Sequence, residues 1–93
     1  MPTRVLQIET KNNWFSFVVD ACNIIYNRNC NLSCEIFRNT NRVFFKCCND
    51  TISIEYYSQN VEELFFFFKL YIEALPYLRS VIINIPIDAS DLD

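Results

Sequence analysis

The sequence predicts one small α+β domain of the order β-α-β-β-β-α-β, with two helices packed on one face of an antiparallel meander sheet. Three short segments between residues 32 and 57 alternate apolar and polar side chains, as strands with one buried face do. Longer segments on either side of them carry apolar residues at helical spacing. The turns between the three strands are short, which favours antiparallel hairpins in a two-layer arrangement of sheet and helices.

The chain begins with a predicted strand and a helix that is buried on more than one side. Residues 5–9 alternate in polarity and indicate a short strand. Asn12 or Asn13 offers an N-cap for a helix that runs to about Asn27. The apolar arc of this helix is wider than the roughly 100° of an ordinary surface helix. Its polar residues form a single stripe of Ser16, Asp20, Asn23 and Asn27.

Three strands follow at residues 32–38, 42–48 and 51–57. The turns between them are rich in asparagine, which tolerates the left-handed conformation better than most residues other than glycine. The opposite face mixes charged side chains with the aromatic residues Phe37, Phe44 and Tyr57. The face predicted to enter the core consists of Leu32, Cys34, Ile36, Val43, Phe45, Cys47, Ile52, Ile54 and Tyr56.

A second helix is predicted from Ser58 or Asn60 to Leu75. Asn60 and Glu63 have the spacing of a capping box, and Pro76 disfavours helical geometry at the preceding residue. A β-branched strand at residues 81–87 and a short acidic tail at residues 88–93 complete the chain. The helix residues predicted to face the core are Val61, Leu64, Phe68, Tyr71 and Leu75.

The composition argues against several classes of function. The 93 residues include neither glycine nor histidine. Without glycine there is no glycine-rich phosphate loop, and without histidine the usual general base near neutral pH is absent. The net charge of −3 also disfavours binding driven by nucleic-acid phosphates. We therefore expect no enzyme, no cofactor and no catalytic site.

The five cysteines are predicted to be buried thiols. Their odd number and the adjacent pair Cys47 and Cys48 do not fit a disulfide framework, and neighbouring strand residues point to opposite faces. A disulfide and a metal site stay open as alternatives. An enzyme would need an activated thiolate at Cys30, Cys34 or Cys48 beside a cation.

The sequence also predicts an intracellular location, in the cytoplasm or nucleus. No apolar stretch approaches the roughly 18 residues of a membrane span, and the N-terminus has no apolar signal-peptide region, so we expect neither a membrane protein nor a secreted one. The abundance of Asn, Ile and Phe together with the lack of glycine is typical of AT-rich coding genomes, such as those of many viruses.

Two families share parts of this pattern. The helical residues 17–25 and the strand residues 30–35 resemble the first part of a sliding-clamp domain, within a resemblance over residues 17–68. Residues 14–75 are also similar to the small signal-recognition-particle Alu subunit, with Trp14-x-x-Phe17, Lys46-x-x-x-Asp50 and Tyr57 at comparable spacings. That family binds RNA on a basic sheet face. The resemblance implies an alternative nucleic-acid face formed by Arg38, Arg42 and Lys46, with Phe44 and Tyr57 as stacking surfaces.

More apolar surface is present than one sheet face and two helices can bury. This excess predicts a protein–protein interaction module, a small oligomerising subunit or adaptor, whose partner is a second copy or another protein. Phe66 is expected to anchor this contact, with Glu62, Lys69 and Glu73 as its polar rim. A different helix register, with these side chains in the core, is the alternative. The predicted interface consists of Phe65, Phe66, Lys69, Ile72, Phe37, Phe44 and Tyr57.

Overall fold

The computed structural model describes residues 6–27 and 29–85. They form a five-stranded sheet and two α-helices, so the α+β class is confirmed. A 3-10 helix, Leu75–Tyr77, links the second helix to the last strand. In chain order the elements are β1 (Gln7–Lys11), α1 (Trp14–Tyr26), β2 (Cys30–Phe37), β3 (Arg42–Cys48), β4 (Ile52–Ser58), α2 (Glu63–Ala74) and β5 (Leu78–Asn84).

The sheet is mixed, and the prediction of an antiparallel meander throughout is wrong. The strand order is β1-β4-β3-β2-β5. The central strand β3 runs antiparallel to β2 and β4, as the short turns predict, but β1 is parallel to β4 and β5 is parallel to β2. Each helix is the crossover between two strands that run in the same direction, because it returns the chain to the end of the sheet where the first strand began.

Both helices pack on the same face of the sheet. The crossover from β1 to β2 and the crossover from β4 to β5 move across the sheet in the same direction. Because such crossovers are right-handed in nearly all proteins, both helices are expected on one face. The ring of Phe45 on β3 accordingly lies 6.1 Å from that of Phe17 on α1 and 5.3 Å from that of Phe67 on α2.

The predicted core face of the sheet is confirmed. Seven of its nine residues are buried, and Ile36 and Ile52 are partly buried against them. This agreement follows from the strict alternation of strand side chains. The helices complete the core with the buried residues Phe17, Ala21, Ile24, Ile25, Phe67 and Ala74.

The predicted core seam of α2 is wrong in register. Phe67 is fully buried, whereas Phe68 is 36% exposed. Val61 and Leu75 are also exposed, and only Leu64 and Tyr71 of the predicted seam lie partly buried. Residues 64–68 are all apolar and so carry no periodicity of their own. Packing against the sheet, where Phe67 meets Phe45, selects the buried position.

The start of α2 also differs from the prediction, whereas the start of α1 agrees with it. Asn13 caps α1, because its Oδ1 accepts a hydrogen bond from the Ser16 amide at 2.8 Å. The capping box of Asn60 and Glu63 is absent. The Glu63 carboxylate instead accepts hydrogen bonds from the hydroxyl groups of Tyr56, at 2.8 Å, and Ser58 on β4. These bonds fix the first turn of α2 to the sheet.

The two terminal strands are displaced from their predicted positions. β1 extends to Lys11, beyond the predicted end at Glu9, and β5 begins at Leu78, directly after the 3-10 helix. Residue 5, residues 86–87 of the predicted last strand and the predicted acidic tail at 88–93 lie outside the described residues.

Candidate protein interface

The side of α1 that points away from the sheet is apolar. Phe15, Val19, Cys22 and Tyr26 follow one another at spacings of four, three and four residues, which places them on one helical face. All four are exposed, and Phe15 and Tyr26 are 74% and 85% exposed. A surface helix normally carries charged and polar residues at these positions. This face of α1 is therefore available for a contact outside the domain.

The neighbouring helix α2 also exposes apolar side chains. Phe65 is 75% exposed, and Phe66 and Ile72 are each more than half exposed. The ring of Phe66 lies 6.1 Å from that of Trp14, so the two helices meet near their N-terminal ends. We call the outward apolar side chains of the two helices the helical surface. It consists of Phe15, Val19, Tyr26, Phe65, Phe66 and Ile72.

The polar stripe of α1 lies toward the β1 edge of the sheet. Asp20 forms an ion pair with Lys11 of β1, and the Lys11 ammonium also lies 3.3 Å from Glu9. The pKa of Lys11 is raised above its usual value, chiefly because its ammonium donates a hydrogen bond to Asp20. The polar stripe thus contacts β1, and the outward apolar residues of α1 are the ones that face solvent.

A groove of about 550 Å³ separates the C-terminal halves of the two helices. Glu73 is its charged lining residue. The pKa of the Cys22 thiol is raised because the groove removes part of its water, although the residue is exposed, and because Glu73 is negatively charged. Lys69 and Glu73 are both exposed on α2, so they can border a contact made by the helical surface. The groove is lined by Cys22, Ile25, Tyr26, Leu70, Glu73, Ala74 and Tyr77.

The structure divides the predicted interface residues between two faces of the domain. The predicted residues of α2 lie in the helical layer, whereas Phe37, Phe44 and Tyr57 lie on the sheet face opposite the helices, which we call the outer sheet face. The rings of Phe44 and Tyr57 are 4.5 Å apart, and Tyr57 is 58% exposed. One flat partner surface cannot contact both sets.

The alternative nucleic-acid residues lie on or beside the outer sheet face. Lys46 is opposite Glu55 on β4, and Arg42 is opposite Phe37 on β2. Arg38 is exposed in the turn that follows β2. The carboxylates of Glu35 and Glu55 share the face with these cations, which reduces the positive potential available to bind phosphates.

All five cysteines are free thiols, but the prediction that all five are buried is wrong for Cys22 and holds only in part for Cys48. Cys30, Cys34 and Cys47 are buried, Cys48 is half-buried and Cys22 is exposed. Burial raises the pKa of Cys34 to about 12 and also raises the pKa of Cys47. Thiols with raised pKa stay protonated at neutral pH and are poor nucleophiles. Within residues 6–27 and 29–85, no three Cys, Asp or Glu side chains are arranged to hold a metal ion.

Comparisons with known proteins identify no similar protein. No protein-family model matches the chain, and no curated protein or solved structure shows significant similarity to it. Across the described ranges, neither α-helix combines the length and apolarity that a membrane crossing needs.

The sequence predicts that α1 is buried on more than one side, but no residue of α1 is among the predicted interface residues. In the structure Phe15, Val19 and Tyr26 are exposed on the side of this helix that points away from the sheet. The sequence pattern that indicates this face is the position of the polar stripe. Ser16 and Asp20 lie beside the buried residues Phe17 and Ala21 and not opposite them, so the opposite side of the helix is apolar. An apolar stripe opposite the core of an amphipathic helix indicates a second buried side.

Proposed function

We propose that this protein is a non-enzymatic interaction module that binds another protein subunit through its helical surface. One observation carries the proposal. Both helices expose aromatic side chains on the side that faces away from the sheet, and Phe15 and Phe65 are each about three-quarters exposed. Several large apolar side chains exposed in one layer of a domain typically mark a protein contact.

The size of the expected stabilisation supports this proposal. Removing a Phe side chain from water contributes about 1.5–3 kcal/mol. Because Phe15, Phe65 and Phe66 retain half or more of their surface exposed, most of this free energy is still available for association. Lys69 and Glu73 supply the charged rim that surrounds the apolar centre of a typical interface. Phe65 and Phe15 are thus the strongest anchor residues of the helical surface.

The test compares the double variant Phe15→Ser/Phe65→Ser with the control Tyr57→Ser, whose exposed aromatic ring lies on the outer sheet face. We expect the unmodified protein and the control to show the same assembly mass by light scattering, the same co-purifying subunit and the same binding of an apolar dye. The double variant should lose the co-purifying subunit and most of the dye binding, while its free energy of unfolding falls by only about 1 kcal/mol. A monomer that binds no apolar dye, with the same co-purifying proteins in all three forms, would contradict the proposal.

The Phe44–Tyr57 pair supports a second candidate function, the binding of single-stranded nucleic acid on the outer sheet face. Stacking of a base on an aromatic ring contributes about 1–3 kcal/mol, and Arg42 and Lys46 lie on the same strand as Phe44. Titration with RNA and single-stranded DNA at about 50 mM salt tests it. Binding that is lost in Tyr57→Ser and retained in the helical double variant would replace the first proposal with this one.

A further inference from the structure

The edge strand β5 offers an unprotected backbone for pairing. β5 pairs with β2, and within residues 6–27 and 29–85 no strand lies on its other side. Ile82 and Ile83 are 56% and 44% exposed, and Ile85, just beyond the strand, is 52% exposed. Residues 80–85 contain no charged side chain and no proline. Edge strands are usually protected by such residues, because their free N–H and C=O groups otherwise pair with another chain.

The opposite edge of the same sheet is protected in the usual way. β1 has five residues, two of which are charged, and Lys11 is held by Glu9 and Asp20. β5 has seven residues and one charged residue, Arg79, whose guanidinium lies 3.3 Å from the carboxylate of Asp50. The difference between the two edges therefore singles out β5 as the pairing edge.

We propose that β5 pairs antiparallel with β5 of a second copy of this chain, about a two-fold axis that passes midway between the Ile82 residues of the two copies. The axis is perpendicular to the sheet and joins two five-stranded sheets into one continuous sheet. In this register Ile82 lies opposite Ile82 of the second copy, and Val81 lies opposite Ile83. Ser80 lies opposite Asn84, so apolar residues meet apolar residues and polar residues meet polar ones.

The sequence of β5 supports this register over its neighbours. Ser80, Ile82 and Asn84 lie on the outer sheet face, because they pair in parallel register with Asn31, Ser33 and Glu35 of β2. Val81 and Ile83 lie on the helix side, and a two-fold axis perpendicular to the sheet keeps each residue on its own face. An axis midway between the two Val81 residues would place Ser80 opposite Ile82. An axis midway between the two Ile83 residues would place Ile82 opposite Asn84.

The pairing is independent of the helical surface. Because the axis is perpendicular to the sheet, both helical layers lie on the same side of the continuous sheet. The dimer thus presents two helical surfaces to a partner, and each proposal can fail without the other.

The experiment uses the charge of residue 82. Ile82→Lys places two ammonium groups opposite each other at the axis, and Ile82→Glu places two carboxylates there, so each variant alone should dimerise at least about tenfold more weakly. An equimolar mixture of the two variants places opposite charges at the axis and should restore the dimer. Ile8→Lys is the matched control, because Ile8 is 58% exposed on the outer face of the other edge strand.

Sedimentation velocity across a micromolar concentration series gives the dissociation constants, and far-UV circular dichroism checks the fold. Dimerisation of the unmodified protein and of Ile8→Lys, with weak dimers of each residue-82 variant and recovery in the mixture, would support the pairing. A monomeric unmodified protein would overturn it, as would a mixture that fails to recover or variants that dimerise normally. If assembly instead responds to Phe15→Ser/Phe65→Ser and not to residue 82, the edge pairing is wrong and the proposed function stands.

Discussion

The four consecutive phenylalanines of α2 provide a direct test of its packing, because they sit in four different environments. Phe67 is fully buried 5.3 Å from Phe45, and its replacement by alanine should lower the free energy of unfolding by about 3–5 kcal/mol, since a cavity remains. The other three costs scale with the buried fraction of a side chain worth about 1.5–3 kcal/mol. Phe68→Ala should cost about 1–2 kcal/mol, Phe66→Ala about 1 kcal/mol and Phe65→Ala about 0.5 kcal/mol.

Urea denaturation followed by far-UV circular dichroism measures this series, with an unchanged dependence on urea as the check that unfolding stays two-state. Each 1 kcal/mol corresponds to about 4–8 °C in thermal midpoint for a domain of this size, so Phe67→Ala should be separated clearly from the rest. A larger loss for Phe68→Ala than for Phe67→Ala would refute the register.

Three further measurements test other parts of the structure. Asn41 adopts the left-handed conformation, with φ 53°. Alanine is less stable than asparagine in this conformation, because its side chain cannot form a local hydrogen bond, so Asn41→Ala should lower the free energy of unfolding by about 1 kcal/mol. Thr40→Ala is the control. Cys22 should be labelled by a thiol reagent before the buried thiols, and Glu73→Gln should accelerate this labelling at pH 8 because the negative charge raises the pKa of Cys22. The pKa of Cys34 rises from 9.0 to about 12 on folding, so its contribution to the free energy of unfolding is full below pH 9 and is lost between pH 9 and 12. In Cys34→Ala, the free energy of unfolding from chemical denaturation should therefore decline less steeply over this pH range.

The sequence predicts the faces of the three central strands, but it does not predict the direction of the outer two. Alternation in β2, β3 and β4 assigns Leu32, Phe45 and Ile54 to the core whichever strands are neighbours. The direction of β1 and β5 depends on the route of the helical crossovers, and the alternation of apolar and polar residues is the same for either direction. The prediction therefore succeeds where turns are short and fails where a helix intervenes.

The candidate site shows the same limit at the level of single side chains. The exposure of Phe65 depends on which of four identical neighbours enters the core, and the local sequence does not distinguish them. Glu63 likewise has the spacing of a capping residue, but the hydroxyl groups of Tyr56 and Ser58 bind its carboxylate. Both outcomes are decided by contacts with the sheet, which neither helical periodicity nor a capping motif encodes.

The mixed sheet has a consequence for the order in which the domain folds. The central hairpins join β2, β3 and β4 through short turns, and contacts close in sequence form early. The edge strands instead pair with residues that are distant in sequence: Gln7 pairs with Ile52, 45 residues away, and Cys30 with Leu78, 48 residues away. In the monomer, their backbone amides should exchange with deuterium sooner than those of β3, because edge strands open without unfolding the centre. The strand with the unprotected edge is thus among the last to join the sheet during synthesis, when β2 has a second open side.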